Sequence, residues 1–262
     1  MLRSRHLSKG SRRRTVLYRL LIGLTAMYCS CLMLALWIDQ PLPSGLEGIE
    51  ADRLGRKIEI SVHVDRWKET KAVRWTFAGM RRHLWDRKNQ QVQFLSDDVE
   101  VLLALEDRSR SLAFANGLEL QGNARNREVN AAYSQFVNDS FWLNPLAKLF
   151  DPGARRSLVR LKDQKALLVT YPEGGLTPGD SYLWILGRSG LPKACRMWVS
   201  VLPIGGLEVP WAGYRELSTG ALVATQHRLG PLVLELSQVE AAHSLEALLG
   251  GEENPFDRLD TP

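Results

Sequence analysis

The stretch that decides the fold is Val73–Leu95, VRWTFAGMRRHLWDRKNQQVQFL. Near its start Trp75 and Phe77 alternate with polar residues, which is the two-residue period of a half-buried strand. Two further strand-like runs, His83–Asp86 and Gln91–Leu95, follow after short links that are polar or contain glycine. Strands joined by such short links are antiparallel, because parallel pairing needs a crossover of a dozen residues or more.

The same signals recur along most of the chain. They predict eight further strands at Val99–Leu105, Ser111–Ala115, Ser157–Lys162, Ala166–Tyr171, Tyr182–Leu186, Lys193–Val201, Leu207–Tyr214 and Leu232–Leu236. Lys57–Asp65, in which four apolar residues alternate with polar ones, is also predicted to be a half-buried strand. Asn123–Leu143 has apolar residues at three- and four-residue spacing, which predicts a helix. We therefore expect an α+β fold built on one large, curved antiparallel sheet.

Charge is unevenly distributed along the chain. The sequence has 34 basic and 29 acidic residues, but seven basic residues precede the first acid: Arg3, Arg5, Lys9, Arg12, Arg13, Arg14 and Arg19. Without those seven the rest of the chain is slightly acidic. A nucleic-acid-binding domain would need a basic face on its globular part, so we predict no nucleic-acid partner.

The segment after the basic tail has the length and composition of a membrane anchor. Thr15–Ile38 contains a single charge, Arg19, and Leu20–Ile38 is uncharged and mostly apolar. Those 19 residues would span roughly 28 Å as a helix, close to the hydrocarbon thickness of a bilayer. Basic residues precede this segment and acidic residues follow it, which favours a body outside the cytoplasm. A cleaved signal peptide is the alternative, but the apolar run is too long and lacks a small-x-small ending.

These observations divide the chain into five parts. Residues 1–14 are a basic cytoplasmic tail and residues 15–38 a transmembrane signal-anchor helix. Residues 39–55, rich in proline and glycine, are a linker, and residues 56–240 are the globular domain. Residues 241–262 offer one helical turn and then a mobile acidic tail. The predicted location is the bacterial inner membrane, with a single span and the C-terminal domain in the periplasm.

No familiar catalytic motif occurs in the chain. There is no HExxH, no CxxC, no G-x-S-x-G and no phosphate-binding glycine loop. His63 and His83 fall on the polar side of their predicted strands, so we expect surface residues. Asp180 lies at a strand end, where turn-forming or solvated carboxylates are usual. We therefore predict a protein that is not an enzyme and that needs neither metal nor cofactor.

Aromatic residues are frequent in the predicted strands and just after the predicted helix. Their ordinary role is core packing, because aromatic rings bury large areas and favour strands. A curved sheet that is incompletely filled would instead leave an apolar cavity lined by these rings. Both alternatives remain open at this point.

Three segments resemble a group of bacterial proteins related to the lipoprotein-sorting carriers, which have the LolA/LolB-like fold. They are VRWTFAGMRRHLWDR at 73–87, NDSFWLNPLAKLFDPG at 138–153 and LVTYPEGGLTPGDSYLW at 168–184. The resemblance implies an incomplete antiparallel β-barrel of about 11 strands, with helices across its concave side and an apolar hollow for acyl chains. The residues implied to line that hollow are Trp75, Phe77, Trp85, Phe136, Phe141, Trp142, Leu143 and Trp198.

Three functions are compatible with the sequence. The first is a membrane-tethered periplasmic domain, anchored through Leu20–Ile38, that binds a lipid, an acyl chain or another apolar ligand without covalent chemistry. The second is a structural or protein-interaction module of the cell envelope whose barrel is filled by its own side chains; its protein partner is not identified by the sequence. The third is an envelope hydrolase, which needs titratable residues such as His83 and Asp180 to meet in a cleft.

Overall fold

The computed structural model describes residues 39–173, 177–230 and 232–259, together with residues 19, 22, 23 and 25. The predicted cytoplasmic tail, residues 1–14, lies outside the described residues, and so does most of the predicted anchor, residues 15–38. Within the residues that are described, no helix combines the length and the apolar character needed to cross a membrane.

One antiparallel sheet contains all the strands of the described residues. They are β1 (Leu46–Glu47), β2 (Ala72–Phe77), β3 (Arg81–Asp86), β4 (Gln91–Ser96), β5 (Val99–Ala104), β6 (Leu112–Ala115), β7 (Leu118–Glu119), β8 (Arg155–Arg160), β9 (Lys165–Thr170), β10 (Ser181–Leu186), β11 (Pro192–Trp198), β12 (Leu207–Glu216), β13 (Leu222–Leu229) and β14 (Leu232–Ala242). The antiparallel α+β fold expected from the sequence is thus confirmed, although the sheet has 14 strands rather than about 11.

The strand order is β1-β8-β9-β10-β11-β12-β13-β14-β2-β3-β4-β5-β6-β7. Two meanders, β8–β14 and β2–β7, are therefore joined side by side where β14 pairs with β2. The two ends of this order, β1 and β7, are not paired with each other in the described part of the chain, so the sheet is open.

Within residues 39–259, apart from the gaps named above, four helices lie against the sheet: α1 (Ile49–Ser61), α2 (Val64–Glu69), α3 (Gly122–Leu143) and α4 (Leu245–Leu249). Short 3₁₀ segments occur at Arg108–Arg110, Pro145–Lys148 and Pro255–Leu259. The first three helices contribute to the main core on one face, which we call the helix-bearing face. The fourth helix and the last 3₁₀ segment pack on the opposite face, which we call the outer face.

The prediction of a strand at Lys57–Asp65 is wrong, because these residues form the end of α1, a two-residue turn at Val62 and His63, and the start of α2. Ala51, Ile58 and Val62 are buried and follow one another at helical spacing, seven and then four positions apart. Ile60, in contrast, is 75% exposed. A strand would have placed Ile58 and Ile60 on the same face. The alternation of β-branched residues imitated a strand, while burial follows the helical period.

Both ends of the domain are more ordered than the sequence suggested. The predicted linker, residues 39–55, contains β1 and the first half of α1, and Ala51 within it is fully buried. The sequence predicted one helical turn and then a mobile tail over residues 241–262, but the chain continues from the end of β14 into α4 and then into a packed 3₁₀ turn that ends at residue 259. Phe256 and Leu259 are buried against the outer face of the sheet. Residues 260–262 lie outside the described part.

Candidate ligand site on the helix-bearing face

Most of the residues predicted to line a hollow do lie on the helix-bearing face. Trp75 and Phe77 are on β2 and Trp85 is on β3, and the remaining four are on α3: Phe136, Phe141, Trp142 and Leu143. Trp75 and Leu143 are each only 1% exposed. The structure therefore brings seven of the eight predicted residues to one layer between α3 and the sheet.

These aromatic rings pack against one another. The ring of Phe136 lies 6.3 Å from that of Trp75 and 5.2 Å from that of Trp85, measured between centroids. Further along α3, Trp142 stacks on Trp211 of β12 at 5.7 Å. Ring pairs at these distances are in direct contact and contribute about 0.5–1.5 kcal/mol beyond their buried area. The space that the sequence assigned to a ligand is thus largely occupied by the side chains themselves.

Trp198 does not join this layer. It pairs with Ser181 across β10 and β11, in the register that places Tyr182 and Met197 on the helix-bearing face. Because neighbouring residues of a strand point to opposite faces, the Trp198 side chain lies on the outer face. The prediction that it lines the same space is therefore wrong. Its indole Nε1 donates a hydrogen bond to the backbone oxygen of Gln40 at 2.7 Å.

A buried ionic cluster fixes α3 to β3. Asp139 of α3 is fully buried and accepts two hydrogen bonds from Arg81, from Nε at 2.7 Å and from Nη2 at 2.9 Å. His83 donates from Nε2 to the same carboxylate at 2.9 Å. The imidazole also stacks on Trp75, with ring centroids 4.5 Å apart. His83 is only 2% exposed, so the expectation of a surface residue is wrong, whereas His63 is exposed.

The electrostatics of this cluster favour an ionised aspartate beside a neutral histidine. Burial opposes ionisation of Asp139, but hydrogen bonds from His83 and Arg81 outweigh it and lower the pKa of the carboxyl group. Burial lowers the pKa of His83, and its bond to Asp139 offsets only part of that effect. Arg81 alone supplies the neutralising charge, so the cluster is a charge-assisted clamp between helix and strand.

A second buried histidine lies in the aromatic layer. His227 of β13 is fully buried, with its ring 3.8 Å from Trp211 and 5.3 Å from Trp142. Neither ring nitrogen has a hydrogen bond of normal geometry within the described residues, although the nearby backbone of Trp142 favours protonation slightly. Burial dominates and lowers the pKa of His227 to about 4. The ring is therefore neutral at physiological pH and serves as a packing group.

His83 and Asp180, the two residues that a hydrolase would bring together, belong to separate hydrogen-bond clusters. Asp180 accepts hydrogen bonds from Thr177, Tyr182 and the backbone nitrogen of Ser200. These bonds tie the loop before β10 to the loop after β11. Among the residues described, no three His, Cys, Asp or Glu side chains are grouped so that they could hold a metal ion.

A small pocket opens between α2, the end of β3 and the C-terminal end of α3. Its volume is about 190 Å³, and we call it the Arg87 pocket. It is lined by Trp67, Lys68, Trp85, Arg87, Ser140, Asn144, Ala147, Lys148 and Asp151. Trp85 is thus the one predicted ligand residue that also borders this pocket.

Arg87 is held rigidly in the wall of the pocket. Its Nη1 donates to the backbone oxygens of Trp67 and Thr70, at the C-terminal end of α2. The guanidinium carbon lies 4.4 Å from the ring centre of Trp67 and 5.2 Å from that of Trp85. Burial lowers the pKa of Arg87 to about 10, so the group stays charged at neutral pH. A fixed cation between two indole rings is an electrostatic feature that an anion would complement.

Three residues of this pocket also carry buried donors that lack an acceptor. Trp85 Nε1, Arg87 Nε and Asn144 Nδ2 make no hydrogen bond within the described part of the chain. Asn144 is 4% exposed and lies where α3 ends and the 3₁₀ segment Pro145–Lys148 begins. Each buried donor without an acceptor costs about 1–3 kcal/mol. These donor atoms are covered by other protein atoms, so a ligand that supplied acceptor oxygens would recover part of that cost once the side chains turned toward the pocket.

The residues that line the pocket carry charges of both signs, with positive charge in excess. Lys68 and Lys148 are cationic, and together with Arg87 they outnumber the single carboxylate, Asp151. Burial raises the pKa of Asp151, an effect that Lys148 opposes. The Arg87 pocket is therefore net positive, and it becomes more so as Asp151 takes up a proton.

A larger pocket of about 470 Å³ lies on the outer face, between β2–β4 and the C-terminal segment. Arg74, one of its two cations, is already paired with Glu240 and Glu252, at 2.8 and 3.1 Å. Arg82 and Glu253 also line this pocket, which therefore holds two cations against three carboxylates and offers less to an anionic ligand than the Arg87 pocket does.

Sequence reasoning did not find the Arg87 pocket. One signal was available: Asn144, Lys148 and Asp151 all lie in the segment NDSFWLNPLAKLFDPG, which was singled out for its resemblance. Their convergence with Arg87 depends on the long-range packing of α3 on β3, which the local pattern does not specify. Neither the family models nor the curated proteins compared with this chain give a match.

Proposed function

We propose that the chain is a membrane-tethered, non-enzymatic binding domain of the bacterial envelope, whose ligand presents a compact anionic group to the Arg87 pocket. The observation that carries the proposal is a net-positive pocket whose lining contains the fixed Arg87 cation and includes three residues, Trp85, Arg87 and Asn144, that each carry an unpaired buried donor. Carboxylates and phosphates supply several acceptor oxygens and a negative charge in one small group.

The size of the pocket limits what can enter it. Its volume of about 190 Å³ corresponds to roughly six water molecules at liquid density. A carboxylate or phosphate group fits this space, whereas a long acyl chain would remain outside it. The ligand is accordingly a small organic acid, a phosphoester, or an amphiphile that inserts its acidic head.

The packing of the aromatic layer argues against a purely apolar ligand between α3 and the sheet. Trp75, Phe136 and Trp142 are buried by contacts with other side chains of the domain. Opening a space there would forfeit about 25 cal/mol for each Å² of apolar area exposed again. The same packing supports a second candidate function, an envelope interaction module with a filled interior.

Isothermal titration of the full chain in detergent with inorganic phosphate, hexanoate and a short-chain phosphatidic acid tests the proposal. We expect at least one of these probes to bind. Asn144→Leu removes the unpaired amide at similar volume, and Lys148→Glu reverses a charge. Because a hydrogen bond to a charged group contributes about 1.5–3 kcal/mol, each should weaken binding by about ten-fold or more.

Lys162→Glu is the matched control, because Lys162 is an exposed lysine in the connection between β8 and β9. It changes the net charge of the chain by the same amount as Lys148→Glu. Equal affinities for these two variants would show that long-range charge, rather than the pocket, attracts the probe. Failure of all three probes to bind the wild-type chain would refute the anionic ligand and favour the interaction module.

A further inference from the structure

Several connections at one end of the sheet carry exposed apolar side chains. Met80 lies between β2 and β3, Val201 between β11 and β12, and Leu232 and Val233 just after the connection from β13 to β14. Their exposed fractions are 61%, 73%, 70% and 54%, in that order. We call these three connections the apolar rim.

The topology places the three connections next to one another. Strands β11, β12, β13, β14, β2 and β3 are consecutive neighbours, and each pair is antiparallel. Alternate connections of such a series lie at the same end of the sheet. A backbone hydrogen bond of 2.9 Å from Ala78 to Glu235 joins the β2–β3 connection to the first part of β14. The adjacent β4–β5 connection is Asp97–Asp98, so the apolar surface ends there.

The polypeptide enters the described domain at this same rim. The backbone nitrogen of Gln40 donates to the oxygen of Gly205 at 3.0 Å, and the nitrogen of Gly205 donates to Asp39 Oδ1 at 2.7 Å. Trp198 also holds this segment, because its indole Nε1 donates a hydrogen bond to the backbone oxygen of Gln40. A Cβ atom at Gly205 would lie 2.6 Å from Trp198 Cδ1, so the close approach requires glycine. Residues 39–40 are thus fixed to the β11–β12 connection.

The sequence immediately before residues 39–40 is the uncharged apolar segment Leu20–Ile38. One residue spans at most about 3.6 Å, so a chain that leaves the bilayer at Ile38 reaches Asp39 at the membrane surface. The connection that holds Asp39 must then lie at that surface, together with its neighbours. Exposed apolar side chains at a lipid interface recover hydrophobic free energy that they forgo in water.

We infer that the apolar rim contacts the lipid bilayer and sets the orientation of the domain on the membrane. This inference rests on the membrane tether of the proposed function and is independent of the Arg87 pocket. Arg87 follows β3 at its far end, and β3 starts at the rim with Arg81. Six strand residues span about 20 Å, so the domain holds the pocket well away from the bilayer.

Depth-dependent fluorescence quenching on the full chain in phosphatidylcholine nanodiscs tests the inference. In a background with Cys29→Ser and Cys31→Ser, a fluorophore is attached to a single new cysteine, either Val233→Cys or the control Ile60→Cys. Ile60 is also highly exposed, but it lies near the opposite end of the sheet, where the backbone oxygen of Val62 accepts a hydrogen bond from Leu222, the first residue of β13. Doxyl-labelled lipid should quench the label at position 233 several-fold more than the label at position 60, and aqueous iodide should do the reverse.

A second variant separates rim contact from simple proximity to the membrane. With Met80→Asp and Leu232→Asp in place, lipid quenching of the label at position 233 should fall to the level of the label at position 60. Equal quenching of the two labels in the parent chain would overturn the inference, as would unchanged quenching in the doubly substituted chain. A full chain that fails to co-elute with nanodiscs would overturn both the rim contact and the tether, while leaving phosphate binding as a separate result.

Discussion

Replacing Asp139 by asparagine should be among the most damaging conservative changes in this protein. The side chain is fully buried and accepts two hydrogen bonds from Arg81 and one from His83. Asparagine keeps the shape but leaves the Arg81 cation without its counter-charge. Removing one partner of a buried ion pair costs about 3–5 kcal/mol. Because the Arg81 side chain is 19% exposed and can recover some hydration, we expect a loss near the lower end, about 3 kcal/mol.

The loss should depend on pH in a defined direction. The pKa of Asp139 is lowered in the folded protein, so its stabilising contribution is complete above the unfolded value of about 3.9 and disappears as the pH falls further. The difference between wild type and Asp139→Asn should accordingly be largest near pH 7 and shrink near pH 3.

Urea unfolding of the full chain in detergent, followed by tryptophan fluorescence, measures both effects. Asp163→Asn is the control, because Asp163 is exposed in the connection between β8 and β9. A free energy of unfolding that falls by less than about 1 kcal/mol in Asp139→Asn, or no more than in Asp163→Asn, would refute the clamp between α3 and β3.

Three further predictions, which use four substitutions, test other parts of the structure by the same unfolding assay. Burial lowers the pKa of His227 to about 4, so protonation of this side chain should lower wild-type stability by up to about 3 kcal/mol between pH 6.5 and pH 4. His227→Phe should flatten this part of the pH profile, and an unchanged profile would contradict the role assigned to His227. Ile58→Ala should cost about 2–5 kcal/mol and Ile60→Ala less than about 0.5 kcal/mol, whereas similar costs would restore the strand interpretation. Phe256→Ala should cost about 3–5 kcal/mol if the C-terminal segment is packed as described; a loss within experimental error would mean a mobile tail.

The sequence predicted the sheet well where strand faces differ strongly in polarity. Val73–Phe77 alternates apolar and polar side chains and lies in β2 with Trp75 and Phe77 buried. The same criterion misassigned Lys57–Asp65, because β-branched residues at every second position produce the strand period even inside a helix. The criterion missed β13 altogether. Two consecutive polar residues, Thr225 and Gln226, lie between the buried residues Ala224 and His227 and interrupt the alternation of apolar and polar side chains.

The candidate site was predicted only in part. Burial of Trp75, Phe136 and Trp142 on a common layer follows from the strand and helix periods. The alternatives of a hollow and a packed core differ only in how far α3 lies from the sheet, and the clamp from Asp139 to Arg81 and His83 sets that distance. These contacts join residues that are 56 and 58 positions apart in the sequence, so a local sequence pattern cannot predict them.

The junction between β14 and β2 has a consequence for how the chain matures. It pairs Leu236 with Phe77 and Ala241 with Val73, residues separated by about 160 positions. During synthesis the β2–β7 meander is therefore complete long before β14, the strand that pairs with β2, has been made. Until β14 is synthesised, β2 is an unpaired edge strand. An exposed strand edge invites pairing with other chains. Aggregation is thus most favoured while the final residues are being synthesised, and chains truncated before residue 232 should aggregate.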